Sequence, residues 1–91
     1  MNVIEELKKL GRTLLGIDTS AIRGRVKFNR INRAVSEMQF FVATAEFSST
    51  AVEGGKSEER QAEEYLQNLM EQMTSGSWRL QKVIDAVGSG I

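Results

Sequence analysis

Apolar side chains recur at alternating intervals of four and three along most of this 91-residue chain. That interval is the period of an α-helix and not of a strand. Val3, Leu7, Leu10, Leu14 and Ile17 form a first line. Phe28, Ile31, Val35, Met38, Val42, Ala45, Ser49 and Val52 form a second, with the spacing of a coiled-coil seam. Ala62, Leu66, Leu69, Met73, Gly76, Leu80, Val83 and Val87 form a third. Gly16 marks a stop after the first line, and Asp18-Thr19-Ser20 reads as a cap or turn. The sharpest interruption is Glu53-Gly54-Gly55-Lys56. Ser57 follows it as an N-cap, with Glu58 and Glu59 in the first turn, where the helix dipole favours acids. Gly88-Ser89-Gly90 closes the last line and leaves Ile91 as an apolar final residue.

The pattern predicts an all-α fold forming one domain over residues 1–91. Two long helices, about 25–52 and about 57–88, form an antiparallel hairpin around a turn at 53–56. A short amphipathic helix, about 3–16, precedes them. At 1.5 Å per residue each arm of the hairpin is roughly 40 Å long. Two stretches admit a second reading. Residues 22–28 alternate apolar and basic as a short strand does, although no second strand is present to pair with it. Thr74-Ser75-Gly76-Ser77 has low helix propensity and suggests a weak point or kink, but the apolar phase passes through it unbroken and predicts a continuous helix.

The chain has no Cys, no His and no Pro. A disulfide scaffold, a thiolate or imidazole metal site, a cysteine nucleophile and a histidine base are therefore excluded. The carboxylate pairs Glu59/Glu63 and Glu58/Glu64 lie in a charged helix start, no G-x-S-x-G motif occurs, and Gly24 and Gly54-Gly55 do not make a phosphate loop. The expectation is a protein that is not an enzyme, with no cofactor, no metal and no small-molecule substrate. No apolar run approaches the ~20 residues that span a bilayer. Acids appear early, in Met1-Asn2-Val3-Ile4-Glu5-Glu6, which argues against a cleavable signal peptide and predicts a cytoplasmic chain or one exported without such a signal.

A net charge of zero conceals a strong polarity. Residues 1–33 hold eight basic residues against three acids, for +5, whereas residues 34–91 hold four against nine, for −5. The two parts attract each other, within one chain or between copies. Arg23, Arg25, Lys27, Arg30 and Arg33 form a stretch without an acid and are the candidates for contact with an acidic partner surface. In a hairpin these cations lie near the open end, while Glu58, Glu59, Glu63 and Glu64 lie near the turn, so a head-to-tail or staggered contact between copies matches them better than a contact within one chain. Nucleic acid is a second candidate partner, weakened by a pI of about 6.3 and by Phe28 being the stretch's lone aromatic. The first helix, with Lys8, Lys9 and Arg12 opposite Leu7, Leu10 and Leu14, has the pattern of a membrane-surface helix as well as of a core-facing one.

Apolar residues remain after the seams are assigned. Phe40 and Phe47 point away from the second seam, and Trp78 points away from the third. Either the first helix covers the phenylalanines and closes a three-helix bundle, or Phe40, Phe47 and Trp78 anchor a partner interface. A short first helix does not hide all three.

The run Glu64-Tyr65-Leu66-Gln67, through Gln81-Lys82-Val83-Ile84-Asp85-Ala86-Val87 to Ile91, is similar in character to the C-terminal helix of type III secretion needle and inner-rod subunits. The hairpin plan also resembles the WXG-type proteins of type VII secretion. Where needle subunits commonly turn at Pro, this chain has Glu53-Gly54-Gly55-Lys56; the Trp-x-Gly turn is absent, with Trp78 inside the third line. The resemblance implies a helical assembly subunit. The expected function is thus a non-enzymatic protein-interaction or assembly component, an oligomer or adaptor of a secretion- or phage-type machine. The alternative is a small nucleic-acid-binding or regulatory protein that uses the basic stretch 23–33.

Overall fold

Asn2 caps the first helix, its side chain accepting a hydrogen bond from the Ile4 amide at 2.8 Å. The structure, a computed structural model, describes residues 2–47, 54–73 and 77–88. Among them are four helices and no strand: α1 (Val3–Asp18), α2 (Gly24–Thr44), α3 (Glu58–Gln72) and α4 (Ser77–Gly88). The all-α class is as the periodicity predicts. The plan of two long arms and one short helix is not what forms.

The main correction concerns the third apolar line. It is two helices packed against each other, not one helix of about 57–88. Met73 is already extended, at φ −77° and ψ 143°, and ends α3. Thr74, Ser75 and Gly76 lie outside the described residues. The unbroken phase misleads for a physical reason. When a helix folds back, both halves turn their apolar stripes toward the same core, so Ala62, Leu66 and Leu69 on α3, Met73 at its C-cap and Leu80, Val83 and Val87 on α4 are all buried. The line identifies the core correctly and the connectivity wrongly.

The other boundaries shift less. α1 runs two residues past Gly16, and Thr19 caps it by donating its amide to the Leu15 and Ile17 carbonyls. Its buried line is Ile4, Leu7, Gly11, Leu14 and Asp18, with Leu10 and Ile17 packed at the flank. α2 begins at Gly24, so Gly24–Phe28 is helix and not strand. It ends at Thr44, because Ala45 is extended at ψ 143°. The expected continuation to 52 fails at that point, and the part of it over 48–52 lies outside the described residues, as does Glu53 of the expected turn. Gly54 and Gly55 have φ of 59° and 78°, a left-handed backbone that glycine adopts without steric cost, and they turn the chain into α3. Ser57 then caps α3, its hydroxyl accepting from the Arg60 amide at 3.3 Å. Ile91 and the expected Ser89-Gly90 stop lie outside the described residues.

α1 packs on α2 and α3, and α4 packs on α2 and α3, while α1 and α4, like α2 and α3, are not in contact. The arrangement is two helical hairpins, α1–α2 and α3–α4, laid face to face. α1 runs alongside α3 in the same direction, as α2 does with α4, with Tyr65 of α3 against Lys8 and Gly11 of α1 and Arg79 of α4 against Asn32 of α2. The molecule is elongated, 42 × 23 × 21 Å. Each hairpin alone leaves its apolar face in water, and joining them buries Leu7, Leu14, Met38, Leu66, Leu80 and Val83 to 0% exposure. The first helix is an integral wall of this core, and its apolar face is taken up by the protein's own helices.

Candidate functional site

The side-by-side directions of the helices sort the charges to opposite ends. One end gathers the C-termini of α1 and α3 and the N-termini of α2 and α4, and with them Arg23, Arg25, Lys27, Arg30, Arg33 and Arg79 against the acids Asp18 and Glu71. The other gathers the N-termini of α1 and α3 and the C-termini of α2 and α4. It carries seven acids, Glu5, Glu6, Glu46, Glu58, Glu59, Glu63 and Glu64, against Lys8, Lys9, Lys56 and Arg60. The salt bridges formed among the described residues, Lys56–Glu64 at 2.8 Å and Arg60–Glu63 at 3.2 Å, both belong to the acidic end. The hydrogen bond from Lys56 is the main reason that the half-buried Glu64 carboxyl titrates below its ordinary value.

At the basic end Arg79 bridges α4 and α2. Its guanidinium carbon lies 4.5 Å from the centroid of the Phe28 ring and 4.2 Å from that of Trp78. One terminal nitrogen donates to the Asn32 side-chain oxygen at 2.7 Å. Its Nε is buried and has no hydrogen-bond partner. Arginine and aromatic rings attract each other through the ring quadrupole, which fixes the guanidinium between the two rings without neutralising it. The rings themselves remain open to solvent, Phe28 at 47% and Trp78 at 59% exposure. Val26, on the same first turns of α2, is also exposed. Helical spacing places Arg25, Phe28 and Asn32 on one strip of α2, the strip that faces α4.

The five cations of the basic stretch are not a single cluster. They wind around the first turns of α2. Lys27 reaches back to the Ser20 carbonyl at 3.4 Å. Arg30 and Arg33 line the groove between α2 and α1, with Thr13, Ile17, Ala34 and Glu37. Arg25 alone shares the aromatic strip. The three aromatic candidates are also separated. Phe40 is the most exposed large apolar residue, at 71%, but lies more than three turns along α2 from Phe28. Phe47 is half-buried and packs on the core, so it is not an exposed anchor. Trp78 alone joins the cations.

Phe28 and Arg79 are the site residues that sequence reasoning missed. Phe28 is in phase with the second seam, but near the start of α2 its ring is 47% exposed and lies against Arg79. The adjacency of Trp78 and Arg79 is a signal visible in the chain, since Trp and Arg are the residue types that anchor interfaces.

Among the described residues no group of three or more acids is placed to hold a metal ion, and no helix is long and apolar enough to cross a membrane. A recess of about 410 Å³ opens at the acidic end, between Ile4 and Lys8 of α1 and Gln61, Glu64, Tyr65 and Asn68 of α3. No family model, curated protein or solved structure matches the chain.

Proposed function

We propose that this chain is a non-enzymatic interaction and assembly module, an adaptor or subunit of a larger assembly, that docks an acidic protein surface on its basic end. The observation that carries this reading is the exposed Phe28–Arg79–Trp78 stack. Unlike the isolated Phe40, the two rings stand in water around an arginine that has no acid partner among the described residues. Large aromatics and arginine make up the usual energetic centre of a protein interface, and charged residues at the rim steer the partner in. Arg25 extends the patch along α2. The resemblance to secretion-system subunits is consistent with an assembly role, although the stretch that carries it, residues 64–91, has its described part divided here between α3 and α4.

Nucleic acid uses related chemistry, with bases stacked on aromatics and phosphates on cations. The protein reading is favoured because both rings are already stacked on Arg79 and the cations wind around α2 rather than tracking one groove.

Trp78 is the only tryptophan, so its fluorescence reports on the site directly. The expected result is a saturable change in Trp78 emission on titration with poly-glutamate, weakened at least tenfold in Arg25→Glu and by raised salt. Saturation by a single-stranded oligonucleotide with no response to poly-glutamate would establish the nucleic-acid reading instead.

A further inference from the structure

We infer that the acidic surface docked by the Phe28–Arg79–Trp78 stack is the opposite end of a second copy of this chain, so that copies join head to tail. This rests on the docking reading above and adds the identity of the occupant. The chain itself supplies the complementary chemistry. At one end of a 42 Å molecule six cations outnumber the two acids Asp18 and Glu71, and at the other seven acids outnumber four cations. The separation is a product of the fold, since the directions of the helices place the cation-rich start of α2 and the acid-rich start of α3 at opposite ends. Within one molecule the two ends are too far apart to attract across a Debye length of ~10 Å, so the attraction is available only between molecules.

The acidic end also has a shape to receive the stack. A groove of about 180 Å³ between the first turn of α3 and the end of α4 is lined by Ser57, Glu59, Arg60, Glu63 and Val87. Its Glu59 and Glu63 carboxylates suit the guanidinium groups of Arg79 and Arg25, in competition with Arg60, which pairs with Glu63 at 3.2 Å. Two different surfaces meet in this contact, so it is heterologous. Each added copy presents a fresh end, and the assembly stays open unless rotation closes a ring.

The test uses two charge-reversed variants of exposed or half-exposed positions. Arg25→Glu/Arg33→Glu disables the basic end, and Glu59→Lys/Glu63→Lys disables the acidic end. Circular dichroism checks that both remain helical. By light scattering after size exclusion at low salt, the wild-type mass should rise with concentration beyond twice the 10.2 kDa of one chain. Each variant alone should remain at the mass of one chain. Their equimolar mixture should reach a dimer and go no further, because each contributes one intact end. Raising salt to 0.5 M should weaken wild-type association about tenfold or more.

A wild-type chain that stays monomeric, or stops at a dimer at every concentration, overturns the head-to-tail inference, as does a mixture that does not pair. If Trp78 still responds to poly-glutamate in that case, the docking reading stands and only the second copy is excluded as the occupant. If Trp78 responds to neither, both fall.

Discussion

Tyr65 shows how one side chain sets the distance between two helices. Its hydroxyl donates to the Lys8 carbonyl of α1 at 3.2 Å, a bond between residues 57 positions apart in the chain. Burial raises its pKa above the ordinary 10.0, against a smaller opposite pull from Arg12. The folded state therefore holds the proton that the unfolded chain gives up. The stability linked to this group is intact below pH about 10 and is lost as pH rises through the elevated folded value. Tyr65→Phe should flatten that part of the alkaline loss, read by denaturant unfolding in parallel with the wild type as pH is raised above about 10. At neutral pH the same variant should cost about 0.5–1.5 kcal/mol, the net worth of one hydrogen bond. Nothing in the sequence distinguishes this tyrosine, because its partner is a backbone carbonyl of another helix. Trp78 and Phe40 were legible as off-seam residues, since their exposure follows from helical phase alone. Phe28 was not, since phase says which side of a helix faces inward but not where along its length the core ends.

Gly11 is the element-scale counterpart of Tyr65. It lies on the buried line of α1, and a Cβ there would collide with the Tyr65 hydroxyl and come within 2.8 Å of two of its ring carbons. The glycine lets α3 approach α1 closely enough for the tyrosine to reach Lys8. Gly11→Ala gains about 1 kcal/mol of helix propensity but must displace a ring pinned at its far end, so a net loss of about 1–3 kcal/mol is expected by thermal or denaturant unfolding. On a Tyr65→Ala background the same change should instead stabilise by up to about 1 kcal/mol. A loss of equal size in both backgrounds would show that the tyrosine is not the obstacle. Element lengths were the least legible feature of the sequence. The seam through Ala62 to Val87 marks the buried side chains correctly on both sides of the break, because burial depends on phase. Whether the chain continues or reverses at Met73 depends on what the two halves gain by packing. Reversal gives α4 neighbours on both α2 and α3. A continuous helix of that length would leave much of its stripe beyond the reach of a 16-residue α1 and a 21-residue α2.

At the scale of the whole molecule, apolar burial and charge are assigned to different tasks. The core gathers Leu7, Leu14, Met38, Leu66, Leu80 and Val83, and the ion pairs Lys56–Glu64 and Arg60–Glu63 lie outside it, at one end. Such surface pairs contribute from zero to about 1 kcal/mol each and are screened by salt. Charge therefore has little to do with holding the fold and much to do with what each end meets. The sequence polarity of +5 and −5 was visible in the chain from the outset, but its spatial meaning depends on the order and direction of four helices, which only the folded structure supplies. The division of labour predicts two different responses to one variable. Between 0.05 and 0.5 M NaCl the melting temperature of a dilute sample should move by less than about 5 °C, since at most a kilocalorie or two of exposed pairing is at stake. The molecular mass at high concentration should fall steeply over the same range, because opposite ends that attract across solvent lose most of that attraction when the Debye length shrinks from more than 10 Å to a few ångströms. A melting temperature that falls in step with the mass would mean that association and folding are one equilibrium. The basic and acidic ends would then belong to the core's stability and not to a separate docking surface.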